Sequence, residues 1–172
     1  MVLPAQVPLT TRAGKTIAAA DHPRELAVDV MAALQDRDGY LSDAAVMETA
    51  RLLGMDPVEV EELATFYTFI YREPVGRYVI HVCDSVVCWM EGSETIGGHL
   101  MGTLGIGMGE TTPDGLFTLL PVCCIGYCDR APAILVNRKA YGPLTIADLD
   151  ALIDRLRNAA DAPGGENPGE EE

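Results

Sequence analysis

The chain has 172 residues, 48% of them apolar, with 26 acidic and 12 basic side chains and a formal net charge of −14. A chain of this length and apolar content can bury a core, which excludes wholesale disorder. A pI near 4.4 leaves nothing to neutralise a phosphate backbone or to dock on anionic lipid, so nucleic acid and charged membrane surfaces are excluded as partners.

Residues 1–20 hold Arg12 and Lys15 but no apolar block of signal-peptide length, and read as a loose segment. The longest uncharged stretches, 95–109 and 115–128, are broken by Gly or Pro. Both fall short of the roughly 20 residues that a spanning helix needs. The expectation is a cytoplasmic chain with no direct membrane insertion. Reduced thiols in that setting suit metal binding or redox chemistry better than disulfides.

Residues 1–75 carry a net charge of −6, and within them 21–75 read as three short helices. Pro23 sits in a first turn, followed by the stripe Leu26, Val30, Ala33 and Leu34, and Asp38-Gly39 ends the pattern. Ser42 is placed to cap a second helix with Val46, Met47, Ala50 and Leu53 inward and Gly54 at its end. Asp56, Pro57 and Glu59 have the offsets of a capping box with a first-turn proline. Val60, Leu63, Ala64 and Tyr67 would form that helix's buried face, and Glu73-Pro74 would end it. No catalytic constellation appears in this helical region. Its acidic positions, such as Glu61 and Glu62, read as a solvated face.

From residue 76 the pattern changes. Arg77–Val82 is a β-branched and aromatic run suited to a buried strand, and a helix is expected from about Ser93 to Leu104. Leu116–Val122 and Ala133–Val136 read as further strands, with a short one around Tyr141. Thr145 caps a last helix carrying Ile146, Leu149, Leu152, Ile153 and Leu156 at helical spacing. The order β-α-β-β-α over residues 76–160 gives a compact α/β domain, with a thioredoxin-like topology among those it permits. The closing segment, 161–172, holds five acids, no base and no aliphatic residue larger than Ala. It reads as a disordered acidic tail. The glycines between 97 and 109 match no phosphate-binding loop and read as a helix end and a turn.

Four of the five cysteines form two pairs. Cys83 and Cys88 make C-x4-C after the first strand, and Cys124 and Cys128 make C-x3-C after the second, with 35 residues between the pairs. That separation lets both pairs meet at one end of a sheet. Four thiolates are the ligand set of an iron–sulfur cluster or of structural zinc. The absence of a C-x2-C knuckle favours the wider iron–sulfur cluster, with zinc and a dithiol redox pair as the alternatives. Cys123 complicates the choice, because Cys123 and Cys128 repeat the C-x4-C spacing. Trp89 reads as a packed aromatic or as a shield beside Cys88, and Gly126 as a tight turn that lets backbone N–H groups approach sulfur. His22, His81 and His99 are scattered and lack Rieske spacing, so they read as structural.

The segments CDSVVC and VCCIGYCDRAP, with GETTPDGLFTLLPVCCIGYC around the second pair, resemble the thioredoxin-like 2Fe-2S ferredoxins. Within that group the likeness is to the E-type, or 24-kDa-type, family of small peripheral subunits found in the NADH:quinone oxidoreductases (respiratory complex I). It extends over residues 20–155 and includes GYLSDAAV, LGM and ATFYTFI in the helical region. The resemblance implies a thioredoxin-like 2Fe-2S domain preceded by a small helical docking domain. It implies one 2Fe-2S cluster held by Cys83, Cys88, Cys124 and Cys128, since the family pattern C-[LI]-G-x-C selects Cys124 and leaves Cys123 a bystander. It also implies a partner flavoprotein, the F-type subunit of complex I, that carries FMN and the NADH site. The assembly would be the peripheral arm of an oxidoreductase on the cytoplasmic face of the inner membrane, with no complete active site in this chain alone. Similar subunits serve as diaphorase components of NAD-linked hydrogenases and formate dehydrogenases. From the residues alone, a zinc-stabilised interaction module is the remaining alternative.

Overall fold

The computed structural model describes residue 17 and residues 20–161. Most of the expected loose segment 1–20 and, beyond Asp161, the acidic tail lie outside the described residues. The chain divides into two compact units, Met1–Pro74 and Val75–Glu172.

In the first unit a 3-10 turn over Pro23–Leu26 leads into α1 (Ala27–Asp38), followed by α2 (Asp43–Leu53) and α3 (Pro57–Phe66). Local chemistry sets the boundaries. Gly39 and Gly54 close α1 and α2 in the left-handed conformation that costs glycine no Cβ clash. The Ser42 hydroxyl accepts from the Ala45 N–H at 3.2 Å. Asp56 and Glu59 form the reciprocal box, with the Asp56 N–H donating to Glu59 at 2.9 Å. Met31, Leu34, Leu41 and Val60 are fully buried at the centre of this unit.

Two expectations fail here. Met47 is 57% exposed rather than inward, and α3 stops at Phe66 instead of running to Glu73. The second failure has a tertiary cause. The Gln35 side chain donates to the Phe69 carbonyl at 2.9 Å and accepts from the Tyr71 N–H at 2.6 Å. Those are backbone groups that a continued helix would pair internally. Arg72 then ties the segment down through Asp43, Glu61 and the Leu41 carbonyl. Tyr67, expected in the core, is 40% exposed as a result.

The second unit is a four-stranded sheet of β1 (Tyr78–Cys83), β2 (Phe117–Val122), β3 (Ile134–Val136) and β4 (Lys139–Tyr141), in the order β2-β1-β3-β4. β1 runs parallel to β2, with Tyr78 opposite Phe117 and Cys83 opposite Val122, and antiparallel to β3. Three helices complete it: α4 (Val86–Met90), α5 (Ser93–Leu104) and α6 (Ile146–Asp161). The parallel pairing requires a crossover, and α4 and α5 lie within it. Ile96, Leu100 and Leu104 of α5 and Leu149, Leu152, Ile153 and Leu156 of α6 share one core with Tyr78, Ile80, Phe117 and Leu119. Each such side chain contributes about 1.5–3 kcal/mol on full burial. Thr145 and Asp148 cap α6 reciprocally, at 3.0 and 3.2 Å.

All six residues of β1 are buried, including His81. Burial pushes the His81 imidazole down to about 4, so it is neutral at neutral pH. His99 instead bonds Asp150 at 2.6 Å, between α5 and α6.

Gly76 shows how tightly the start of the β1–β2 pair is closed. Its N–H donates to the Thr118 hydroxyl at 2.6 Å, and a Cβ there would lie 2.8 Å from the Phe117 carbonyl carbon. Gly76→Ala therefore forces the strands apart and is expected to cost about 1–3 kcal/mol of stability, read from the urea midpoint. An unchanged midpoint would contradict the close approach.

Candidate metal centre

The buried run of β1 ends at Cys83. Asp84 and Ser85 then turn the chain into α4, whose single turn carries Cys88 on its inward side. Cys83 and Cys88 are each 1% exposed, with Val122 and Ala133 beside them and Ile125, Tyr127 and Ala131 around the edge. The second pair comes from the loop after β2. Gly126 has φ +78°, a conformation that glycine adopts freely, and the chain returns to place Cys128 at the head of a 3-10 turn, Cys128–Arg130. Cys124 and Cys128 are exposed, with sulfurs 3.4 Å apart.

The parallel register joins the two loops. The ladder continues past the strand ends, with the Asp84 N–H donating to the Val122 carbonyl at 3.0 Å. The Cys83 thiol reaches the Cys123 carbonyl at 3.0 Å. Cys88 interacts with Cys83 and Cys128, and Cys128 with Cys124 and Cys83. The four thiols at positions 83, 88, 124 and 128 thus form one connected set across the end of the β1–β2 pair. Cys123 is exposed, and it enters the set through its carbonyl rather than its sulfur.

Electrostatics divide the four. Burial pushes the Cys88 thiol well up, opposed by a backbone hydrogen bond from Ala133. The Gly126 N–H, 3.4 Å from the Cys124 sulfur, holds that thiol below its usual range, helped by Cys128 and by the Ser85 side chain. Cys128 is raised, chiefly by its hydrogen bond with Cys124, and the charge of Asp129 adds to the effect.

This donor set fits a two-iron cluster. It offers four soft sulfurs, two of them in a dry seat, with backbone donors aimed at cysteine sulfur. Among the described residues no group of three or more His, Cys, Asp or Glu side chains is gathered tightly enough for a single metal ion.

Some local features were not legible in the sequence. The five-residue α4 is too short to show helical periodicity, and the Ala133 donor depends on pairing between distant segments. Trp89 departs from the packed-aromatic reading, being 56% exposed. The Ala131–Pro132 bond, which precedes β3, is cis.

The family model for thioredoxin-like [2Fe-2S] ferredoxins matches residues 13–157. The chain is 44% identical over 122 residues to the E subunit of the NADH-quinone oxidoreductase of Pseudomonas aeruginosa, covering 71% of this chain and 74% of that one. It is 43% identical to the E 2 subunit of the Rhizobium meliloti enzyme, over 88% of this chain and 91% of the relative. Among solved structures, an NAD+-reducing [NiFe]-hydrogenase in the H2-reduced state aligns with a TM-score of 0.66 and 32% identity. That alignment covers 78% of this chain and 22% of the hydrogenase chain, so the likeness is to one part of a larger protein.

The division among the thiols has a measurable consequence. In the reduced, iron-free protein, iodoacetamide at about pH 7.5 is expected to modify Cys124 at least about tenfold faster than Cys88, because the thiolate is the nucleophile. Peptide mass spectrometry reads the two rates, and equal rates would contradict the assigned environments.

Proposed function

The chain belongs to the thioredoxin-like [2Fe-2S] ferredoxin family, and we propose that it is the electron-transfer subunit of an NADH:quinone oxidoreductase, holding one 2Fe-2S cluster on Cys83, Cys88, Cys124 and Cys128. The observation that carries this reading is the meeting of the two cysteine loops at the end of the parallel β1–β2 pair. When bound, such a cluster takes up and releases one electron at a time. The residues of this chain hold it, seat one side of it away from water, and point backbone N–H groups at ligand sulfur. Asp84 and Asp129 stand beside the ligands, and negative charge there disfavours the added electron.

The partner is a flavoprotein subunit carrying FMN and the NADH site. Apolar side chains left in water beside the centre support this. Val86, Trp89 and Met90 are 56–72% exposed on α4, the helix that also supplies Cys88. A protein surface covering them would bury apolar area that folding leaves exposed. In the helical unit Val58, Phe66 and Phe69 are further exposed apolar side chains, which fits a docking role. No helix among the described residues is long and apolar enough to cross a membrane, in keeping with a peripheral subunit. The hydrogenase likeness supports a second reading, the equivalent diaphorase component of an NAD-linked hydrogenase. The relatives from the quinone enzymes, matched over most of their own length, favour the first.

Single alanine variants in the assembled complex test the ligand set. Cys124→Ala is expected to lose the 2Fe-2S EPR signal that reduction by NADH develops, with iron at this subunit falling from about two per chain toward zero. Cys123→Ala is expected to keep both. The opposite pattern would transfer the ligand role to Cys123.

A further inference from the structure

The sulfurs of Cys124 and Cys128 stand 3.4 Å apart, and both side chains are exposed. Three residues separate them, and Gly126, in the left-handed conformation at φ +78°, turns the chain so that the second sulfur returns to the first. A disulfide needs about 2.05 Å between sulfurs, a gap that small side-chain rotations at exposed positions close. Cys83 and Cys88 belong to the same set but are 1% exposed, which keeps a dissolved oxidant from them. Cys123 is exposed too, yet its contact with the set is made by its carbonyl. Among the five cysteines, Cys124 and Cys128 are the pair with both proximity and access.

We propose that, before iron is bound, Cys124 and Cys128 close a reversible disulfide, a redox modification that withholds half of the ligand set from the cluster. The oxidant is a low-molecular-weight disulfide of the glutathione class. The Cys124 thiolate, with the Gly126 N–H 3.4 Å from its sulfur, attacks one sulfur of the oxidant. A protein–oxidant S–S bond forms and the oxidant's own S–S bond breaks. One small thiolate leaves and takes up the proton that Cys124 gave up. The Cys128 thiolate then attacks the Cys124 sulfur of the mixed disulfide, and the second small thiolate leaves with the Cys128 proton. Two protein thiols are thereby oxidised by two electrons, and one small disulfide is reduced to two thiols. A thiol reductant reverses both steps.

A sulfur committed to iron is not free to attack, so ligation and disulfide exclude each other. This regulation rests on the assignment of Cys124 and Cys128 as ligands proposed above. Where glutathione is kept reduced, such a bond is transient, and its appearance reports oxidant.

The test uses the full-length chain, stripped of iron, reduced, and then held without oxygen in about 1 mM oxidised glutathione. Remaining thiols are alkylated with iodoacetamide, and trypsin with a Glu-specific protease cuts after Arg77, Glu91, Glu110 and Arg130. Cys83 and Cys88 then share one peptide, and Cys123, Cys124 and Cys128 share another. By mass spectrometry the second peptide is expected to carry a single alkyl group, on Cys123, and a disulfide between the other two. The first is expected to keep both thiols for alkylation, with oxidation at least about tenfold slower. Cys128→Ser is expected to stop at the glutathione adduct on Cys124, and dithiothreitol is expected to return every thiol. A disulfide that uses Cys123, or oxidation of Cys83 and Cys88 at the same rate, would overturn the proposal. So would three alkylated thiols in the second peptide. The cluster-loaded chain, treated in parallel, is expected to keep its iron and to form no disulfide. A Cys124–Cys128 disulfide in a chain that retains its cluster would instead overturn the ligand assignment, a separate failure read from the iron content.

Discussion

The parallel pairing of β1 with β2 is the constraint on which the site depends. The two cysteine pairs lie far apart in sequence, and neither pair alone supplies four thiols to a metal. Their meeting requires that both strands end at the same level and run in the same direction, as the opposition of Cys83 and Val122 provides. An antiparallel pairing would send the loops to opposite ends of the sheet. A slip by one residue would turn the buried face of β2 outward. The register is held by the apolar core that Tyr78, Ile80, Phe117 and Leu119 share with α5 and α6. Packing energy well away from the sulfurs thus decides where the sulfurs stand.

The site inherits an asymmetry from that sheet. β1 is central, so its loop begins in the interior and delivers Cys83 and Cys88 into a dry seat. β2 is an edge strand, and its loop emerges toward solvent with Cys124 and Cys128 exposed. The buried pair keeps water from one side of the centre, while the exposed pair and the apolar side chains of α4 form its accessible side. An electron-transfer centre needs both, since burial limits solvation of charge and exposure lets a partner approach. The net charge of −14 is a poor guide here, because five of its acids lie in the closing segment 161–172. The acids beside the four thiols are Asp84 and Asp129, adjacent in sequence to Cys83 and Cys128.

Much of the site was legible because its chemistry is concentrated in cysteine, a residue whose spacing carries meaning even without a structure. Caps with short, directional requirements were also readable, such as Ser42 for α2 and Asp56 with Glu59 for α3. Readings failed where long-range contacts overrode local preference. The end of α3 is set by Gln35, a residue more than thirty positions away that captures the backbone of Phe69 and Tyr71. Met47 has helical spacing suited to the core but faces water.

Mössbauer spectroscopy with metal and sulfide analysis, on the chain isolated without oxygen, tests the central claim most directly. The account predicts about two iron and two sulfide per chain, with both irons in tetrahedral sulfur coordination, coupled when oxidised and one of them ferrous after one-electron reduction. Stoichiometric zinc, or one iron bound by the four thiols without sulfide, would contradict it.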